Sequence, residues 1–139
     1  MSAYQLPPFV WPSAVMGVCA IAIWRGGPDE RLAAGGLLAG WALSMVAYQA
    51  HGEVETGVLM VDLALLGFLV WLALRSPRHW PLFASGFQLL AVLTHLGREA
   101  DSGISTWAYL TAEIIWGYLL AFAIGYGAWT AGRTAGKPE

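Results

Sequence analysis

Apolar residues fill five stretches of the chain, and short polar or turn-forming segments divide them: RGGPDER at 25–31, HGEVE at 51–55, SPRH at 76–79 and the region around GREADSGIS at 97–105. The apolar stretches lie at about 9–24, 32–50, 56–75, 80–97 and 106–131. Each approaches the roughly 20 residues that an α-helix needs to cross a hydrocarbon layer about 30 Å thick. The breaks carry the Gly, Pro and charged residues that end helices. The pattern therefore predicts an all-α protein, a bundle of five transmembrane helices in one domain covering 1–139. There is no internal repeat, low-complexity tract or soluble domain. In the first break, Pro28 and the acids after it mark the start of the second helix. The Gly pair beside them is too short for a phosphate loop.

Charge gives these spans a direction. Arg25 and Arg31 lie in the first break, the second has no Lys or Arg, Arg75 and Arg78 flank the third, Arg98 stands alone in the fourth, and Arg133 and Lys137 follow the last span. Under the positive-inside rule this predicts an N-terminus outside, first and third breaks in the cytoplasm, and a cytoplasmic C-terminus. Trp11, Trp24, Trp80, Trp107 and Trp129 fall near span ends, where indoles seek the membrane interface.

Composition agrees with a membrane setting. The 139 residues are 58% hydrophobic and 12% charged, with a mean hydropathy of +0.58, too apolar for a soluble domain of this size. A formal charge of -2 without any basic or acidic block excludes a nucleic-acid surface. The single cysteine, Cys19, excludes an internal disulfide and Cys-based zinc or iron–sulfur centres, and its apolar neighbours read as inert core. Residues 9–24 read as a span rather than a secretory signal. The preceding MSAYQLPP has no basic residue, and Val18 stands where a lipoprotein signal places a small residue before its cysteine.

The candidate chemistry is the set of polar residues inside the spans. Glu113 is the sole charge in TWAYLTAEIIWGYLLAFAIGYGAW (106–129), and an ionised side chain at such depth costs about 2–3 kcal/mol or more. At about 1.5 Å of rise per residue, Glu113 and Asp62 lie roughly 10 Å inside the outer boundary. His95 lies near the same mouth, and His51 ends the second span. Tyr109, Glu113, Gly117, Ala121 and Gly125 recur every fourth residue, so Glu113 shares a face with small residues that admit close helix approach. Gly36, Gly40, Ser44 and Tyr48 form a second such stripe, and Ala84, Gln88, Ala91 and His95 a third. Asp62 is surrounded by leucines, so its inward orientation follows from cost alone. The three faces predict an outward pocket of Glu113, His95, Tyr109, Tyr48 and His51, with Asp62 adjacent.

Each feature has a bland reading beside a chemical one. The acids serve either as protonated carboxyls bonding helix to helix or as a functional site. The histidines serve either as interfacial hydrogen-bond partners or as ligands. His95, Glu113 and His51 are metal-ligand candidates by type, although no HExxH or ExxH pair is present. His95 and His51 on separate helices could instead clamp a haem. The small-residue stripes serve internal packing or docking against another membrane protein, and eight Trp and five Tyr point to extensive lipid or partner contact.

IWRGGPDERLAAGGLLAGW, LALRSPRHWPLFASGFQLLAVLTHL and AYLTAEIIWGY resemble segments of small, uncharacterised inner-membrane proteins of alphaproteobacteria, over most of the chain. The resemblance implies a bacterial inner-membrane location and brings no activity or site residue with it.

No nucleophile with a base, phosphate cradle or cofactor fingerprint is visible, so neither catalysis nor a cofactor is expected. Divalent metal and haem remain the alternatives. No ionisable group lies between the outer cluster and the cytoplasmic loops, which argues against a channel or transporter. The sequence therefore points to a non-catalytic accessory or assembly subunit of a larger membrane complex. Its expected contacts are the lipid bilayer and another membrane protein or a second copy of itself. The alternative is a cation-, proton- or haem-handling protein whose pocket opens to the outer, periplasmic side.

Overall fold

A computed structural model describes residues 10–51 and 54–134, with side chains described for 10–46 and 56–131. Five α-helices occupy these residues: α1 (Val10–Arg25), α2 (Pro28–His51), α3 (Val54–Arg75), α4 (Trp80–Ala100) and α5 (Thr106–Thr134). Local chemistry sets their ends. Gly26 closes α1 by donating its N–H to Ala22 O at 3.0 Å. Two residues later Pro28 opens α2, and Glu30 reaches back to accept from Gly27 N at 2.8 Å, the carboxylate half of a capping box. Ser105 caps α5, its hydroxyl accepting from Ala108 N at 3.2 Å. Several helices outrun the apolar spans. Hydropathy marks the depth of apolar surroundings, whereas Arg98, Glu99 and Ala100 continue the hydrogen-bonded ladder of α4 beyond that depth.

Short connections make successive helices neighbours, and α5 closes the ring by packing on α1 as well as α4, with a further contact to α2. The core lies in the half of the bundle nearer the 25–31 connection. There Cys19, Ala22, Ala33, Leu69, Leu72, Ala84, Ile124 and Ala128 are buried. Glycines allow the close approaches predicted from their spacing. A Cβ at Gly36 would stand 2.6 Å from the Phe68 ring, and one at Gly117 would overlap Trp11. The glycines of both stripes, Gly36 and Gly40 on α2 and Gly117 and Gly125 on α5, are thus faced by side chains of other helices.

Two helical segments, Thr56–Arg75 and Thr106–Ala131, are long and apolar enough to cross a membrane. α1 is apolar but shorter, with 16 residues. The amphipathic α4 carries Gln88, His95, Arg98 and Glu99, and α2 carries three charges in its first turn. Only 17% and 22% of the two long apolar windows are buried in the bundle, where the core helix of a soluble protein would be mostly buried. Many of their apolar side chains point outward, among them Met60, Leu74, Trp107 and Phe122, while Leu69, Leu72 and Ile124 point into the core. Trp80 departs from the expectation of an interfacial indole: it is 3% exposed and packed in the core.

Candidate metal centre

Three helices deliver one ionisable side chain each to a common point. His95 ends the buried face of α4 that begins with Ala84 and runs through Gln88 and Ala91. Its Nε2 lies 2.8 Å from Asp62 Oδ2 on α3 and 3.4 Å from Glu113 Oε2 on α5. One turn before Glu113, the Tyr109 hydroxyl lies 2.7 Å from His95 Nδ1, with the two rings edge to face. Gln88 braces the α3 side by donating its Nε2–H to the Asp62 backbone carbonyl at 3.2 Å. The Arg98 guanidinium lies over the Tyr109 ring and donates to Thr106 Oγ1 at 3.2 Å, covering the outer rim of the cluster.

This arrangement comes near the geometry of a cation site. One donor atom each from Asp62, His95 and Glu113 lies within 4.8 Å of the other two. Donors about 2 Å from a common ion stand roughly 3.3 Å apart in a tetrahedron, so closure needs at most a carboxylate swing of about an ångström or slightly more. Two tautomers serve two states. With the proton on Nε2, His95 donates to Asp62 and accepts from Tyr109 at Nδ1. With the proton on Nδ1, the imidazole donates to the Tyr109 oxygen and its Nε2 lone pair faces the carboxylates, the second-shell pattern of a metal-ligating histidine. Glu113 Oε1 is buried with no hydrogen-bond partner among the described residues, an acceptor left for a hydrogen-bond donor or a cation.

Space is present on both sides of the cluster. An outer groove of about 370 Å³ is lined by Val58, His95, Arg98, Thr106, Tyr109, Leu110 and Glu113. A smaller chamber of about 140 Å³ lies within the bundle, bordered by Asp62, Glu113, Gln88, Ser44, Trp11 and Trp41 among others. Glu113 belongs to both walls.

The structure brings together Glu113, His95, Tyr109 and Asp62, and makes Asp62 a direct partner of His95 rather than a neighbour of the pocket. Its placement beside the histidine was not legible, because the leucines around it carry no directional signal. Tyr48 and His51 belong to α2, but their side chains lie outside the described residues. The metal trio expected as His95, Glu113 and His51 is thus drawn here with Asp62 as its third member. Haem ligation by His95 would require breaking this cluster, since both ring nitrogens already have partners.

A second polar cluster escaped the sequence reading. At the opposite end of the bundle Glu30, only 1% exposed, pairs with Arg78 and accepts from Trp80 Nε1 at 2.8 Å. Arg78 also donates to Gly127 O at 2.9 Å and to Thr130 Oγ1, and Ser76 Oγ donates to Asp29 Oδ2 at 2.6 Å. A signal existed in the acid at the third position of α2 and in the Arg-His-Trp-Pro run that opens α4. The acid alone reads as helix capping, and it does that as well. The indole of Trp80 lies flat enough on Gly127 that a Cβ there would approach it to 2.7 Å. Chemically this cluster is a clamp joining α2, α4 and α5, in which Arg78 pairs with Glu30 and Asp29 is met by the Ser76 hydroxyl.

No protein family, curated protein or solved structure gives a match to the chain, so the functional reading rests on these residues alone.

Proposed function

We propose that the protein is a five-span membrane protein of the bacterial inner-membrane type, N-terminus outside and C-terminus in the cytoplasm. It holds a divalent transition-metal cation at Asp62, His95 and Glu113, reached from the outer face. One observation carries the reading: side chains from three separate helices meet with their donor atoms within 4.8 Å. The membrane placement is supported by the two long apolar helices with outward-facing side chains and by the arginine asymmetry of the loops.

Charge favours a divalent ion. Two carboxylates and a neutral imidazole bring the sum with a 2+ ion to zero, the least costly state for ionised groups in an apolar surrounding. Oxygen and imidazole donors without thiolate suit zinc, manganese, ferrous iron or cobalt rather than cuprous copper. The role is binding, not turnover. Purified gently in detergent, the protein should carry about one transition-metal ion per chain by elemental analysis, with His95→Ala and Glu113→Gln losing it while retaining helical content. Metal-free protein that takes up no divalent ion on addition sinks the reading.

The accessory-subunit reading stands second. It is favoured by an aromatic groove of about 290 Å³ between α4 and α5, lined by Phe83, Phe87, Leu119, Phe122 and Tyr126 with Trp80 at its base. A stoichiometric membrane partner that co-purifies with metal-free protein would place this reading first.

A further inference from the structure

We infer that the metal position keeps one coordination site open to the interior chamber, and that this site binds a small uncharged nitrogen or oxygen donor. The inference rests on the cation reading above. Three protein donors leave a four-coordinate ion one position short, the arrangement of exchangeable rather than purely structural metal sites. Asp62 borders the chamber alone, His95 borders the outer groove alone, and Glu113 stands between the two. With His95 and Arg98 on the groove side, the open position is assigned to the side of Asp62, which faces the chamber.

The chamber has the properties of a ligand site. Its volume of about 140 Å³ holds about four waters or one small ring. Leu65 and Leu120 border it, and beyond them Leu69 and Ile124 are 1% and 0% exposed. The chamber thus ends inside the bundle and is not a passage through it. Beyond the two carboxylates, Ser44 and Gln88 add polar groups to walls that are mostly apolar. Charge selects the ligand class: with the ion neutralised by two carboxylates, an anion would add an uncompensated charge within the bundle, whereas a neutral donor adds none. The orphaned Glu113 Oε1 would be satisfied by a ligand carrying an N–H or O–H beside its donor atom.

Co²⁺ and imidazole test this directly, since Co²⁺ has visible bands that report its ligands and imidazole pairs a neutral donor nitrogen with an N–H. In the detergent-solubilised full chain loaded with Co²⁺, titration with imidazole should convert the visible spectrum in one saturating step. One imidazole replaces one bound water per cobalt. Azide should bind at least about tenfold more weakly. Ser44→Leu, which fills the chamber from a residue that supplies no metal ligand, should keep the cobalt spectrum and lose the imidazole response. Cobalt bound with a spectrum indifferent to imidazole, azide binding as tightly as imidazole, or a response surviving Ser44→Leu each overturns the open inward position while leaving the cation site standing. Failure to bind Co²⁺ at all overturns the cation site, and this inference with it. The unmodified protein decides the first two outcomes even if the variant fails to fold.

Discussion

The imidazole of His95 joins Asp62 on α3 to Glu113 and Tyr109 on α5, so one side chain holds the candidate centre together. Removing it should cost more metal affinity than removing the hydroxyl that orients it. In a chelator-competition titration with Zn²⁺, His95→Ala should weaken binding more than about 100-fold and Tyr109→Phe about 10- to 100-fold. A Tyr109→Phe protein with parental affinity would deny the tyrosine any role in setting the tautomer. At the other end of the bundle the same scale of reasoning concerns stability. Arg78→Met strands the buried Glu30 carboxylate without its charge partner and should cost about 3–5 kcal/mol in reversible unfolding. Glu30→Gln keeps an acceptor for Trp80 and leaves behind only the partly exposed arginine, so it should cost less. Equal losses in the two variants would show that packing, not charge, dominates the clamp.

Among elements, the small-residue stripe of α2 separates two glycines that look equivalent in sequence. Gly36 faces the Phe68 ring, whereas Gly35, one residue earlier, has nothing within 4 Å of a Cβ built on it. Gly36→Ala should therefore destabilise by about 1–3 kcal/mol through overpacking, while Gly35→Ala should be neutral or gain up to about 1 kcal/mol from helix propensity. Thermal unfolding of the two variants in the same detergent checks both signs, and a common sign would contradict the described contact between α2 and α3. The helices themselves were legible because apolar runs and turn formers alternate so plainly. Their ends were less so, since capping by Ser105 and the continuation of α4 through Arg98 depend on backbone hydrogen bonds that hydropathy does not register. The second polar cluster was hidden for a related reason. Glu30 and Arg78 each have a sufficient local explanation, as helix-start acid and loop cation, and nothing in their 48-residue separation signals a pair.

For the molecule as a whole, the orientation inferred from arginines makes a prediction about compartments. With the buried Cys19 as background, Ser102→Cys should react with a membrane-impermeant maleimide added to intact cells, and His79→Cys should react only after the membrane is opened. Both positions are exposed in the fold, so the difference reports sidedness rather than burial. Labelling of both from outside, or of neither, would reverse or abolish the proposed topology and with it the outward entrance to the metal site. The ring closure of α5 on α1 and α4 also explains why the candidate centre and the clamp sit at opposite ends of one helix. α5 supplies Tyr109 and Glu113 to the first, and Gly127 and Thr130 to the second.

The order of apolar and polar residues by itself determined the five helices of the described residues and that Glu113 and Asp62 are costly enough to need partners; it predicted five membrane spans, of which two helices are long and apolar enough for a bilayer. These follow from period, length and desolvation cost, which are local properties of a chain. Which partners they find was decided only by tertiary structure. Asp62 meets His95, Trp80 turns inward to Glu30, and Gly36 and Gly117 close on the rings of Phe68 and Trp11. Those pairings depend on how each helix is rotated about its own axis and set against its neighbours. That rotation is fixed by packing summed over the whole bundle and is not written in any single segment.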